Sequence, residues 1–121
     1  MEKKILVVDD ADISRMIATR ALKAAGYKVF EATNASNALA LLDGRDISMV
    51  VCDFSMPGMD GIEFVKALKE MSQYKLMPVL MLTAADKQEI RERGKKSGVK
   101  AWMTKPFSQP ALVKAVDKLC P

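Results

Sequence analysis

Acidic, hydroxyl and amine side chains follow the short apolar runs of this sequence. Asp9 and Asp10 come directly after the first run, and Asp53 comes directly after the third. Thr83 follows the fourth run, and Lys105 lies just beyond the fifth. Carboxylates that come within a few ångströms of one another repel, so they need a cation or must be protonated. A hard divalent ion fits them best, and Mg²⁺ accepts one or two carboxylates together with waters and a phosphate oxygen.

Phosphoryl transfer to a carboxylate is the chemistry that these residue types support. A carboxylate can attack phosphorus and form an acyl phosphate. The negative charge on the transferred group is then compensated by a metal and by cationic or hydrogen-bonding side chains. Asp53 is the predicted acceptor, because it leaves a central strand and the turn formers Gly58 and Gly61 leave room above it. Asp10 is predicted to bind the metal directly, and Asp9 to act as a second ligand or through a water.

Lys105 and Thr83 are the predicted stabilisers of the phosphoryl group. The lysine would pair with one phosphoryl oxygen as a point charge, and the threonine hydroxyl would donate to another. The bond between Lys105 and Pro106 is a candidate cis peptide that would turn the lysine inward. Taken singly, each of these residues has a simpler explanation as a helix cap or a surface side chain. Their occurrence together at four strand ends is what indicates a site.

The spacing of apolar residues predicts the elements that would hold these side chains. Short apolar runs predict strands at 5–8, 29–30, 49–52, 79–82 and 101–103. Helical spacing predicts five helices, with caps or stops at Asp12, Gly26, Asn34, Gly44, Gly98 and Ser108, the fourth running from about Lys87 to Ser97. This alternation predicts an α/β fold, with a parallel sheet and helices on both faces. In such a sheet the ligand binds beyond the carboxyl ends of the strands.

Composition excludes several classes of protein. A chain of 121 residues, 50% of them hydrophobic, predicts one folded domain over residues 1–121 and excludes a disordered tail. No apolar stretch reaches the roughly 18 residues of a membrane span. The N-terminal apolar run is too short for a secretory signal, which predicts a cytoplasmic protein. The absence of histidine excludes histidine-based catalysis and histidine-ligated zinc, and Cys52 and Cys120 are not expected to form a disulfide framework.

Charge is distributed unevenly along the chain. The net charge is +4, and residues 86–121 alone carry nine basic and four acidic residues, or +5. A basic C-terminal third could attract nucleic acid or an acidic protein segment, or it could be a solvated helix face. No helix-turn-helix spacing or arginine-rich arm accompanies it, so direct binding of nucleic acid is not expected.

Four segments of the chain, in order, resemble a response-regulator receiver domain of the CheY-like, single-domain kind. They are Ile5-Leu6-Val7-Val8-Asp9-Asp10, Val51-Cys52-Asp53-Phe54-Ser55-Met56-Pro57-Gly58-Met59-Asp60-Gly61, Met81-Leu82-Thr83-Ala84 and Thr104-Lys105-Pro106-Phe107. The resemblance covers the whole chain and implies a doubly wound, three-layer fold of the flavodoxin/CheY-like type, with strand order 2-1-3-4-5. It also implies a receiver domain without an output domain, since only Pro121 follows the last predicted helix.

The resemblance implies that a partner histidine kinase transfers a phosphoryl group to Asp53 in a two-component system, in a reaction that requires Mg²⁺. Asp10, Asp53 and the backbone carbonyl of Ser55 would hold the metal. Thr83 would move as a switch together with the aromatic residue of the fifth strand, which is Trp102 here and usually tyrosine or phenylalanine in the family. Such a protein is not a turnover enzyme but a phosphoacceptor that assists its own phosphorylation and dephosphorylation.

Two further expectations follow from the resemblance. The family docks partners through helix four, strand five and helix five, where the basic charge lies. The expected partner is a flagellar-motor switch protein, as in chemotaxis, or otherwise a phosphorelay protein, and a phosphatase could remove the phosphoryl group. Ser55 and Ala85 stand two places after Asp53 and Thr83, at positions that resemble the family's tuning points for dephosphorylation. A small Ala85 would leave water access open, which predicts a short-lived phosphate.

Three other classes of protein share part of this pattern. A haloacid-dehalogenase-type phosphatase would use Asp10 as its nucleophile within Asp10-Ala11-Asp12-Ile13-Ser14, with Thr83 and Lys105 in support. That family needs a later acidic pair and a longer chain. A flavodoxin-like binding module needs a Ser/Thr/Gly-rich loop after strand one, where Asp9 and Asp10 would repel a phosphate. A pseudo-receiver that binds partners without phosphorylation would not need the complete acidic set.

Overall fold

Strands and helices alternate along the chain in the computed structural model, which describes residues 2–84 and 88–121. In order, the elements are β1 (Lys4–Val8), α1 (Asp12–Ala24), β2 (Lys28–Ala32), α2 (Ala35–Leu42), β3 (Met49–Asp53), α3 (Gly61–Glu70), a 3₁₀ turn (Ser72–Tyr74), β4 (Val79–Thr83), α4 (Gln88–Ser97), β5 (Ala101–Thr104) and α5 (Gln109–Leu119). Among the helices of the described residues, none has the length and apolar character needed to cross a membrane. The predicted start of the fourth helix at Lys87 lies outside the described residues.

The strands form one parallel sheet in the order β2-β1-β3-β4-β5, which confirms the predicted order. The chain reverses its direction of winding at β1, which has β2 on one side and β3 on the other. The register pairs Val8 with Cys52 and Asp53 with Leu82. The carboxyl ends of β1, β3 and β4 therefore lie side by side, and the residues that follow them meet at one edge of the sheet.

Two hydrophobic cores cover the two faces of the sheet. Successive strand residues point to opposite faces, so Leu6 packs with Phe64 on the face that carries α2 and α3. Its neighbour Ile5 packs with Leu22 and Val116 on the face that carries α1 and α5. Because both faces of the central strands are covered, these strands are continuous apolar runs in the sequence and not alternating ones.

Local capping chemistry sets most of the helix ends. Asn34 and Ser108 cap α2 and α5 with their side-chain oxygens, as predicted. The prediction that Asp12 caps α1 is wrong, because Asp12 is the first residue of that helix and the capping position is Ala11, which makes no side-chain bond. The Asp12 carboxylate instead accepts a hydrogen bond of 2.7 Å from Arg15, one turn further along.

Candidate functional site

The three predicted carboxylates lie together. Asp9, Asp10 and Asp53 offer oxygen atoms that all lie within 4.8 Å of one another at the carboxyl edge of the sheet. Asp9 and Asp53 are buried, with 1% and 5% of their surface exposed, whereas Asp10 is exposed. Strand β3 runs one residue further than predicted, so Asp53 is its last residue and is held in the sheet beside Leu82.

Lys105 reaches into this cluster from the end of β5. Its Nζ lies 3.0 Å from Asp9 Oδ2 and 3.4 Å from Asp53 Oδ2. Its backbone N–H donates to the carbonyl oxygen of Thr83 at 2.8 Å, which fixes the lysine beside the end of β4. The bond between Lys105 and Pro106 is cis, as proposed from the sequence. The ammonium group therefore bridges the two buried carboxylates.

Asp9 is fixed from several directions. Its Oδ1 accepts from the backbone N–H of Ala11 at 2.9 Å, while its Oδ2 accepts from Lys105. The guanidinium of Arg15 donates to the Asp9 carbonyl at 2.9 Å and lies 3.4 Å from Glu31. Sequence reasoning missed Arg15, because it stands one turn inside α1 and belongs to no motif. Both carboxylate oxygens of Asp9 are thus already engaged, which suits a supporting role beside the more accessible Asp10.

The electrostatics of the cluster favour a bound cation. The pKa of Asp53 is raised from its ordinary 3.8 to about 6. Burial is the largest cause of this rise. The positive charge of Lys105 lowers the pKa, and the negative charges of Asp9 and Asp10 raise it further. A divalent cation among these oxygens would remove the repulsion and favour the ionised form. Carboxylate oxygens are the donors that Mg²⁺ prefers, so the residues present fit that metal.

Thr83 and Trp102 lie on the same face of the sheet. Thr83 is the last residue of β4 and is 4% exposed. The register pairs it with Thr104, and it pairs Met81 with Trp102 two residues earlier on each strand. The half-buried indole of Trp102 packs against the core under α2 and α3. It also lies directly over Gly94 of α4, where an added Cβ would come within 2.2 Å of the indole Cζ2.

The loop after β3 returns to the sheet through Gly61. An added Cβ on Gly61 would lie 2.6 Å from the sulfur of Met81 and 2.9 Å from the carbonyl oxygen of Asp53. Asp60 and Glu63 form a capping box that begins α3 at this point. The Asp-x-x-Glu spacing is the sequence signal for this cap, although the prediction did not include it. The close approach at Gly61 keeps α3 tight against the end of the strand that carries Asp53.

The structure does not test the roles predicted for Ser55 and Ala85. Ser55 is exposed and lies two residues beyond Asp53, and the role of its carbonyl as a metal ligand stays a prediction. Ala85, predicted to tune the lifetime of the phosphate, lies outside the described residues.

A doubly wound parallel sheet with acidic side chains and a lysine at its carboxyl edge is the arrangement of a receiver domain. The family model described as "response regulator receiver domain" matches residues 5–117. The chain therefore belongs to the response-regulator receiver family, whose members are the phosphoacceptors of two-component signalling. This membership gives no support to the haloacid-dehalogenase alternative with Asp10 as nucleophile.

Comparison with individual proteins supports this family membership. The chain is 37% identical to the chemotaxis protein CheY-3 of Vibrio cholerae over 117 residues, which is 96% of this chain and 90% of that protein. It is 33% identical to the chemotaxis protein CheY of Pseudomonas aeruginosa, over 96% of this chain and 94% of that protein. The phosphate regulon transcriptional regulatory protein PhoB of Escherichia coli is 36% identical, over 93% of this chain and 49% of PhoB.

Superposition on solved structures of similar proteins supports the fold. The chemotaxis protein CheY4 of Vibrio cholerae superposes with a TM-score of 0.95 at 37% identity, covering 98% of this chain and 99% of that one. A putative response regulator from Chloroflexus aurantiacus superposes with a TM-score of 0.92 at 29% identity, covering 98% of each chain. The doubly wound fold inferred from the sequence is thus confirmed.

Proposed function

We propose that Asp53 accepts the phosphoryl group from a phosphohistidine of a partner histidine kinase. One carboxylate oxygen of Asp53 attacks phosphorus, and a P–O bond forms as the P–N bond breaks. The histidine keeps the electron pair of that bond and, with a proton on its other ring nitrogen, leaves as a neutral imidazole. The observation that carries this proposal is the position of Asp53. It is a buried carboxylate that ends a central strand, with two further carboxylates beside it and a lysine amine 3.4 Å away.

Several neighbouring residues would compensate the negative charge of the transferred phosphoryl group. Asp10 and Asp53, with the carbonyl of Ser55, would hold Mg²⁺, and Asp9 would support it less directly because both of its carboxylate oxygens already accept hydrogen bonds. The metal would supply positive charge beside the phosphoryl oxygens. Lys105 pairs with one of those oxygens, and the hydroxyl of Thr83 donates to another. The chain thereby assists its own phosphorylation and dephosphorylation without turning over a substrate as an enzyme does.

Phosphorylation is proposed to act through Thr83 and Trp102 on the face formed by α4, β5 and α5. The two residues share one face of the sheet. Basic side chains lie on two of these elements: Arg91, Arg93, Lys95 and Lys96 on α4, and Lys114 and Lys118 on α5. The similarity to CheY-3, a chemotaxis protein, supports a flagellar-motor switch protein as the docking partner. A phosphorelay protein is the second candidate, and a phosphatase would reset the switch. A cytoplasmic site of action stays a prediction.

Labelling with acetyl phosphate tests the acceptor. The wild-type chain should take up a phosphoryl group in the presence of Mg²⁺ and lose most of this uptake when the metal is chelated. Asp53→Asn should abolish labelling, and peptide mapping should place the modification on Asp53. Asp60→Asn is the matched control, since it changes a nearby aspartate but keeps a residue that can cap α3, and it should be labelled like wild type. Labelling on Asp10, or full labelling of Asp53→Asn, would contradict the proposal.

A further inference from the structure

The groove between α3 and α4 is lined by four cationic side chains. Lys66 and Lys69 line it from α3, and Arg93 and Lys96 line it from α4. The members of each pair are three residues apart, so both lie on the same face of their helix. The groove has a volume of about 390 Å³, and Glu70 is the one carboxylate in its described lining. Two helices therefore face each other across the groove with like charges.

Few of these cations are neutralised. Arg93 lies 3.7 Å from a carboxylate oxygen of Asp60, with half of the guanidinium side chain exposed. Within the part of the chain that the structure describes, Lys66 and Lys96 form no ion pair. Like charges gathered this closely repel unless an anion comes between them. The groove is therefore complementary to a negatively charged ligand.

A second cavity continues the cationic surface to the amino-terminal edge of the sheet. Lys69 lines both cavities, and Lys75 and Lys100 join it in the second, whose volume is about 350 Å³. Burial, and after it the charge of Lys100, lowers the pKa of Lys69. Leu76 stands in the same lining with 92% of its surface exposed. An apolar side chain left in water thus lies beside a row of cations.

We propose that this surface, which we call the basic track, binds an acidic segment of a partner protein that also carries an apolar side chain. The track consists of Lys66, Lys69, Lys75, Arg93, Lys96 and Lys100 together with Leu76. Carboxylates of the partner pair with the lysines, and its apolar side chain covers Leu76. This surface shares α4 with the α4, β5 and α5 face but is otherwise formed by α3 and the amino-terminal edge of the sheet. Neither Thr83 nor Trp102 lines it, so binding is not expected to require phosphorylation of Asp53.

The lining favours a protein segment over a nucleotide or a nucleic acid. Binding of bases relies on aromatic side chains for stacking, and the described lining of the two cavities contains none. The cations extend over two adjoining cavities, which exceeds the span of a single phosphate. The exposed Leu76 also gains from burial by an apolar group, which an inorganic anion cannot supply.

Binding of a synthetic peptide of alternating glutamate and leucine tests the proposal. Fluorescence anisotropy of the labelled peptide should report binding that weakens as salt screens the charges. Lys66→Glu/Lys96→Glu should weaken binding by about tenfold, because two exposed charge pairs are lost and two repulsions are added. The matched control is Lys23→Glu/Lys114→Glu, which reverses the same number of charges at exposed positions on α1 and α5. It should change affinity less than about twofold, because neither side chain lines either cavity of the track and their remaining long-range effect is screened by salt.

Further measurements separate the possible occupants. Leu76→Ser should weaken binding of the glutamate–leucine peptide but not of polyglutamate. Amide chemical shifts should move along α3, α4 and the amino-terminal edge of β4. Equal losses in both charge-reversed variants, shifts confined to β5 and α5, or tighter binding of a single-stranded oligonucleotide would overturn the proposal. Labelling of Lys66→Glu/Lys96→Glu with acetyl phosphate should match wild type, so the phosphoacceptor proposal is tested separately.

Discussion

Burial determines the properties of Asp53. Its pKa of about 6 lies above the ordinary 3.8, chiefly because the carboxylate is buried. Because the pKa is higher in the folded state, ionisation of Asp53 opposes folding. Its contribution to stability is fully present below pH 3.8, where the carboxyl is protonated in both states, and is lost as the pH rises through about 6. Asp53→Asn should therefore raise the free energy of unfolding of the metal-free protein above pH 6, on the order of 2–3 kcal/mol. The gain should vanish near pH 4, and urea unfolding in the presence of a chelator measures it.

Asp46→Asn is the matched control for this pH dependence. Asp46 is 91% exposed and lies 3.8 Å from Lys4. An exposed ion pair contributes little, so this variant should differ from wild type by less than about 1 kcal/mol at every pH. If Asp53→Asn gave no gain at neutral pH, the unfavourable burial of the Asp53 charge would be disproved.

Gly94 is the residue on which the position of the Trp102 indole depends. Alanine normally stabilises a helix relative to glycine by up to about 1 kcal/mol. At Gly94, however, the new Cβ would meet the indole at 2.2 Å. Gly94→Ala should therefore destabilise the wild-type protein by roughly 1–3 kcal/mol, and it should stabilise a Trp102→Ala background.

The two backgrounds form a double-mutant cycle that isolates the contact. Urea unfolding gives the coupling energy. Emission of Trp102, the single tryptophan of the chain, should shift in Gly94→Ala as the indole leaves its position. The same sign of the Gly94→Ala effect in both backgrounds would contradict the close contact.

At the scale of elements, the start of α3 is fixed by the close approach of Gly61 to the end of β3. A methyl group there would meet backbone atoms of Asp53 and Phe54 at 2.9 Å, and backbone cannot move aside as a flexible side chain can. Gly61→Ala should cost about 1–3 kcal/mol of stability and should also slow phosphorylation, since it displaces the strand end that holds Asp53.

Gly44→Ala is a useful comparison for Gly61→Ala. Gly44 has φ of +82° and an added Cβ would meet only the side chain of Gln73, at 3.9 Å. Its cost should come from backbone strain alone, so stability should fall while phosphorylation stays at the wild-type rate. A Gly61→Ala variant that lost stability but kept the full rate would contradict the link between α3 and Asp53.

Elements were predictable from the sequence where local chemistry determines them. Asn34 and Ser108 cap their helices through bonds to residues three positions on, and such signals are visible in a single sequence. The ends of the strands were harder to predict, because β3 and β4 end on polar residues, Asp53 and Thr83, beyond their apolar runs. Hydrogen bonding to the neighbouring strands continues to these residues, and a pattern of apolar residues cannot show it.

The same distinction holds for the site. The carboxylates and Lys105 could be predicted, because each follows a strand and parallel strands end at one edge. The contacts of Arg15 with Asp9 and Glu31 could not be predicted, since they depend on how α1 lies against β2. The fit of Trp102 over Gly94 likewise requires the packing of α4 on the sheet.

At the scale of the whole molecule, the acidic cluster couples metal binding to folding. A ligand that binds only the folded state stabilises it by about 2.7 kcal/mol at a hundred times its dissociation constant. Mg²⁺ should therefore raise the Tm by several degrees, because the unfolded chain does not hold Asp9, Asp10 and Asp53 within 4.8 Å of one another. The shift should shrink below pH 6, where protons compete for Asp53. Differential scanning calorimetry over a series of Mg²⁺ concentrations and pH values measures it.

Two comparisons distinguish specific binding of Mg²⁺ from screening of charge. Sodium chloride at the same ionic strength should give little of the shift, because a monovalent ion does not compensate three carboxylates in one place. Asp10→Asn should lose most of the Mg²⁺ effect, whereas Asp43→Asn, an exposed aspartate outside the cluster, should keep it. An equal Mg²⁺ shift in Asp10→Asn and wild type would mean that the metal stabilises the fold from another place. The phosphoryl chemistry at Asp53 would then have to rely on Lys105 and Thr83 alone for its compensating charge and hydrogen bonds.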